Sequence, residues 1–188
     1  LSGIGKIATQ GTLQMTENSL DLAIEGSGFF QVEMPDGTTG YSRAGNFNLT
    51  AEGNLVTSDG LPLIPAIQVP QGATAVTIGN NGTVTASLSG QTEASELGQI
   101  ELANFTNPAG LLSVGNNILT ETAASGAPQV GEAGTEGIGT IRQGALEGSN
   151  VNIVEELVNM IETQRAYEVN SKMISATDEM LQFVNQQI

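Results

Sequence analysis

Short apolar runs broken by turn residues fill the first three quarters of the chain, and an apolar line at intervals of seven fills the rest. LDLAI (20–24) and GFFQVEM (28–34) have the length and composition of strands. Pro35-Asp36-Gly37 predicts a tight turn after them, because Pro fixes φ and Gly supplies a positive one. GYSR and NFNLT follow, then the turn AEGN, the run NLVT and a second turn at Ser58-Asp59-Gly60. LPLIPAIQVP (61–70) carries three prolines, which restrict it to an edge strand or an extended crossing. TAVTI (74–78) and TVTASL (83–88) flank Gly79-Asn80-Asn81-Gly82, the strongest hairpin signal in the chain. GQIELANF (98–105) reads as one further strand, and 121–140, rich in Gly, Ala, Thr and Glu, as loop and the least ordered part. No fixed-period repeat is evident. The expectation is a mainly β fold, an irregular sandwich or barrel-like domain over about 20–143, followed by one long C-terminal α-helix.

The signals change at residue 149. All 24 glycines precede it, and neither Gly nor Pro follows it. Ser149 or Asn150 is the expected N-cap, with Glu155 and Glu156 in the early turns where they complement the helix dipole. Ile153, Met160, Tyr167, Ile174, Leu181 and Ile188 recur every seven residues, and Val169, Met173, Ala176, Met180, Phe183 and Val184 broaden the line beyond Ala166. A sustained heptad line is the mark of a coiled-coil seam. The competing reading is an amphipathic helix packed on its own domain. Length weighs against it, since 38 helical residues run about 57 Å, whereas a compact chain of this size has a radius of gyration of roughly 16 Å. The far apolar residues would lie in water, forgoing about 1.5–3 kcal/mol each on full burial. Partner helices are therefore expected from other copies, from a segment upstream of Leu1, or from both. Arg165 breaks the face between Ile161 and Val169. Its partners are either Glu162 or Glu168 nearby, or an acidic neighbouring subunit.

Charge and composition narrow the chemistry. Twenty acids against five bases give a net charge of −15, which repels nucleic acid and anionic lipid, and Trp is absent from a chain already poor in stacking aromatics. No run approaches the roughly 20 apolar residues that span a bilayer, and LSGIGKIATQG has no sustained apolar stretch of the kind a signal peptide needs. There is no Cys and no His, which removes disulfides, thiolate and imidazole metal sites, and Cys-His or Ser-His-Asp catalysis. Ser171-Lys172 lacks a serine three residues before the lysine. Gly26-Ser27-Gly28 and Gly137-Ile138-Gly139 complete no phosphate-loop motif and read as turn glycines. No acidic run fits a calcium loop, and no carboxylate pair is singled out for glycoside hydrolysis. No catalytic residue, cofactor or metal site is expected.

Two blocks carry a resemblance. GTLQMTENSLDLAIEGSGFFQVEMPDGTTGYSRAGNFNLTAEGNLVTSDG (11–60), with its LDLAIxGxGFFQV and YxRxGxFxLxxxGxLVTxxG elements, resembles the opening of bacterial flagellar rod and hook axial proteins. SNVNIVEELVNMIETQRAYEVNSKMISATDEMLQ (149–182) is similar to their other end, and RAYEVNSKMISATDEMLQ lies nearest the distal-rod members, with hook and proximal-rod members as alternatives. The resemblance implies a structural subunit of a tubular drive shaft, built by helical self-assembly, that carries torque from motor to hook for motility. It implies no enzyme. Implied partners are further copies of the chain, proximal rod and hook proteins, and the surrounding basal-body rings, with neither nucleic acid nor membrane insertion. Implied location is the basal-body rod in the cell envelope, reached through the flagellar type III export apparatus. Members pair an N-terminal helix with the C-terminal one to line the tube, so residues 1–19 become an extended connector, 20–143 the outer domain and 144–188 the assembly region. This sequence holds no such N-terminal helix. The assembly interface expected on these grounds is Ile153, Met160, Tyr167, Ile174, Leu181, Val169, Met173, Met180 and Arg165. A secreted β protein that binds or cleaves glycans is the reading from a different class.

Overall fold

A computed structural model describes residues 9–88, 94–135 and 137–186, with helix side chains to Gln182. The strands are β1 Leu13–Met15, β2 Leu22–Glu25, β3 Phe29–Glu33, β4 Thr39–Ser42, β5 Phe47–Leu49, β6 Leu55–Thr57, β7 Leu63–Ile64 and β8 Ala73–Ile78. They continue as β9 Thr83–Leu88, β10 Ser95–Gln99, β11 Glu101–Asn104, β12 Leu112–Gly115, β13 Ile118–Thr120, β14 Gln129–Glu132, β15 Thr140–Gln143 and β16 Ala145–Glu147. One helix follows, α1 Ile153–Gln186. The fold is mainly β with a single long C-terminal helix, and it divides into two compact units between Ser149 and Asn150.

The central sheet has seven strands in the order β12-β13-β4-β3-β11-β14, and β7 shares with β11 the edge of β3 that faces away from β4. A three-stranded sheet, β10-β9-β8, and the pairs β1–β16, β2–β15 and β5–β6 complete it. The sheets among the described residues stay open, so of the expected irregular sandwich or barrel-like domain the mainly β character holds, in several sheets, and no barrel closes. Successive residues on a strand face opposite ways, and β3 uses both faces. Phe30 packs with Leu22, Ile24, Phe47, Leu55 and Leu102 in the larger core cluster, its ring 5.1 Å from that of Phe47. Phe29 faces a smaller cluster with Tyr41, Ala103, Phe105 and Leu111, where the Tyr41 and Phe105 rings meet edge to face at 4.8 Å. Burial, with the Glu121 carboxylate nearby, raises the Tyr41 phenol above its ordinary value.

Most turn signals are realised. Gly37 takes φ +79° in the β3–β4 turn, and Gly82 takes φ +89° in the β8–β9 turn. Two expectations fail. The single strand over 98–105 is two strands in different sheets, parted at the fully buried Ile100. Ile100 still follows the β10–β9 register, its N–H bonding the Gly82 carbonyl at 2.8 Å, and from Glu101 onward the chain pairs instead with β14 and β3. The segment 121–140 is not merely loop. It contains β14, an edge of the central sheet paired with β11, and it buries Ala133 and Ile138 in the larger cluster.

Candidate assembly surface

Asn152, not Ser149 or Asn150, starts the helix. Its side-chain oxygen accepts the Val154 N–H at 3.2 Å, and its carbonyl accepts the first intrahelical bond from Glu156 at 3.0 Å. Ser149 and Asn150 lie in the connecting stretch before the first turn. Glu155 and Glu156 occupy that turn as expected. Inside the helix, the Thr163 and Thr177 hydroxyls each donate to the carbonyl four residues back, at 2.8 Å, so polar groups are satisfied locally. Lys172 pairs with Glu168 at 2.7 Å, an exposed contact worth about 0.3–0.5 kcal/mol. With Glu168 so engaged, Arg165 makes no ion pair among the described residues.

What α1 does not satisfy is its apolar side chains. Over 34 residues it rises about 51 Å, and each of its described side chains is exposed. Tyr167 is 78% exposed and Met160 is 55%, with Ile153, Ile174, Leu181, Met173 and Met180 between them and Val169 level with Met160. Ile188 lies outside the described residues, as do the side chains of Phe183 and Val184. Val154, Leu157, Val158 and Ile161 are exposed as well, and the seven-residue line does not contain them. Leu157, four residues from Ile153 and three from Met160, widens the same line, whereas Val154, Val158 and Ile161 sit about 80–140° round from Ile153, so apolar surface covers more than one face. A helix of this kind gains burial only among several neighbours. It carries six acids, at 155, 156, 162, 168, 178 and 179, against Arg165 and Lys172. The described residues contain no group of three or more acids, His or Cys placed to hold a metal ion, and no helix long and apolar enough to cross a membrane.

The described residues thus comprise a β unit with a buried core and a helix whose apolar side chains are exposed. Residues 23–86 match the family model of the flagellar hook protein FlgE/F/G D1 domain, and residues 142–187 match that of the flagellar basal body rod FlgEFG protein C-terminal region. The flagellar basal-body rod protein FlgG of Buchnera aphidicola subsp. Acyrthosiphon pisum is 51% identical over 181 residues, spanning 96% of this chain and 70% of that protein. The Agrobacterium fabrum protein of the same name is 48% identical over 187 residues, spanning 100% of this chain and 71% of its own length. The flagellar hook protein FlgE of Salmonella typhimurium is 37% identical over 174 residues, 90% of this chain but 42% of that one. The chain belongs to the flagellar basal-body rod and hook protein family. It is a structural component of the basal body and not an enzyme. The two matched blocks meet in the fold at Ala23↔Arg142, within the β2–β15 pair that runs from Leu22↔Gln143 to Glu25↔Thr140.

Proposed function

We propose that this rod subunit polymerises with copies of itself into a helical tube, a drive shaft that passes torque from motor to hook. In this reading α1 is the assembly element. Ile153, Met160, Tyr167, Ile174 and Leu181, widened by Val169, Met173 and Met180, pack against helices of neighbouring chains, and Arg165 pairs with a carboxylate of one of them. The observation that carries the proposal is the exposure of these apolar side chains along the helix. Close-packed side chains resist sliding, which is the property a shaft needs. The greater identity to rod than to hook relatives supports a place in the rod, between proximal rod proteins and the hook and inside the basal-body rings. Passage through the flagellar type III export apparatus accompanies that place.

The test is Ile174→Asp or Leu181→Asp in the full-length subunit, with rod formation followed by electron microscopy. A buried carboxylate without a partner costs several kcal/mol at every repeat of the interface, so rods should not form while the β unit stays folded. Rods of normal yield and shape in both variants would remove α1 from the assembly surface.

A further inference from the structure

Strands β1 and β16 form a two-stranded ribbon, with Leu13 opposite Glu147 and Met15 opposite Ala145. The ribbon is closed at its ends by Thr16 N–H to the Gly144 carbonyl at 2.7 Å and Gly148 N–H to the Thr12 carbonyl at 2.8 Å. Five residues after β16 the chain enters α1. Apolar packing holds the ribbon poorly, because Ala145 is its one buried apolar residue and Met15 is 73% exposed. A two-stranded ribbon alone is at best marginally stable in water. Something polar must fasten it.

That fastening centres on Arg43, just past β4 and within the YxRxG stretch. Its Nε donates to Glu147 Oε2 at 2.7 Å, with the two side chains 25% and 10% exposed. Its Nη1 donates to the Gly28 carbonyl at 2.7 Å, and its Nη2 to the Gly26 carbonyl at 2.7 Å and the Ile24 carbonyl at 3.4 Å. The other Glu147 oxygen accepts the Gly11 N–H at 2.8 Å. One guanidinium thus joins a ribbon carboxylate to three backbone carbonyls at the ends of β2 and β3, and the carboxylate also holds the residues leading into β1. Charge-assisted bonds are roughly twice as strong as neutral ones, and only a planar fork serves so many acceptors at once. Two lesser ties run beside it. Gln10 bridges the Ile24 carbonyl and the Gly26 N–H, and the Gly144 N–H reaches the Asp21 carbonyl.

We propose that Arg43 and Glu147 form a clasp that latches the β1–β16 ribbon to the β unit, making the ribbon a stiff mount for the chain that runs on into α1. Arg43 is a positioning residue here. Displacement of the ribbon is passed to β2 and β3 through the Ile24, Gly26 and Gly28 carbonyls, instead of being absorbed where the ribbon meets the domain. The mechanical value of the clasp rests on the reading of α1 as the assembly element; the clasp itself does not.

Amide hydrogen exchange on the whole chain tests it. Glu147→Gln keeps the shape and an acceptor for Gly11 but removes the charge. The Gly11, Thr16 and Gly148 amides should then exchange about tenfold faster, while those of Leu22, Ile100 and Ile141 and the thermal midpoint stay as they were. Arg43→Gln should give a larger acceleration at the same three amides, and Arg43→Lys a smaller one, since an ammonium reaches Glu147 but cannot serve three carbonyls as well. Unchanged ribbon amides in Glu147→Gln would overturn the clasp, and so would equal acceleration at the three core amides. Should Arg43→Gln fail to fold, Glu147→Gln decides alone. Rod formation is a separate readout: Glu147→Gln leaves α1 intact and should still assemble, so failure of the clasp and failure of the assembly reading are told apart.

Discussion

The β unit and α1 obey the same hydrophobic rule with opposite outcomes. In the β unit Phe30, Phe47, Leu22, Ile24, Leu55 and Leu63 all lie at 1% exposure or less, covered by the chain's own strands. In α1 residues of the same chemistry stand half to three-quarters exposed. The difference is not composition but closure. A strand alternates its faces and meets another strand a few residues later, whereas the 34-residue helix has no other α-helix to pack on among the described residues. The first region buries its apolar side chains within itself, and the second leaves them exposed.

The largest blow to one side of this comparison should come from Gly45→Ala. A Cβ there would run into the Leu22 carbonyl oxygen, a backbone atom held in place because the Leu22 N–H donates to the Gly45 carbonyl at 2.9 Å. Neither segment can retreat without breaking that bond. We expect a loss of about 4 kcal/mol or more in urea unfolding of the β unit, with the helical signal at 222 nm unchanged. A β unit of ordinary stability in Gly45→Ala would mean that the segments can part freely.

How far the sequence reveals each side follows from the range of the forces involved. Turns are local, so Pro35-Asp36-Gly37 and Gly79-Asn80-Asn81-Gly82 mark their hairpins by themselves. Pairing between distant segments is not. Gln129–Glu132 has one apolar residue, Val130, and becomes a strand only because β11 offers an edge. The β1–β16 ribbon joins residues more than a hundred positions apart, and no local signal in Leu13–Met15 announces it. In the helix the seven-residue spacing marks one line of the surface, but Val154, Val158 and Ile161 lie on other sides of it and are exposed as well. Arg43 stands in a recognisable motif, yet its partner Glu147 lies 104 residues away.

A smaller effect, confined to the other side, should follow Asn152→Ala. Losing the side chain that accepts the Val154 N–H costs about 1 kcal/mol of helix stability. The first turn of α1 should fray and the 222 nm signal should fall slightly, while unfolding of the β unit keeps its midpoint. If the β midpoint moves with it, the two regions fold as one cooperative block and the contrast between them is weaker than their burial indicates.

The smallest effect is a matter of pH. Asp36, in the β3–β4 turn, has its carboxyl held below the ordinary value by the Thr38 hydroxyl at 2.6 Å and then by the Thr38 N–H at 3.0 Å. Both bonds favour the charged form. A depressed folded value means that the contribution is fully present above the unfolded pKa and is lost as pH falls through the folded one. The hairpin should therefore loosen at the acid end, below the ordinary carboxylate range. Thr38→Val removes the stronger donor, the hydroxyl, and keeps the backbone one, so the Asp36 midpoint followed by NMR should rise towards its ordinary value without reaching it. A midpoint that does not move would assign the shift to the backbone amide alone. The turn geometry set by Pro35 and Gly37 would then be sufficient to hold the carboxylate without help from the hydroxyl.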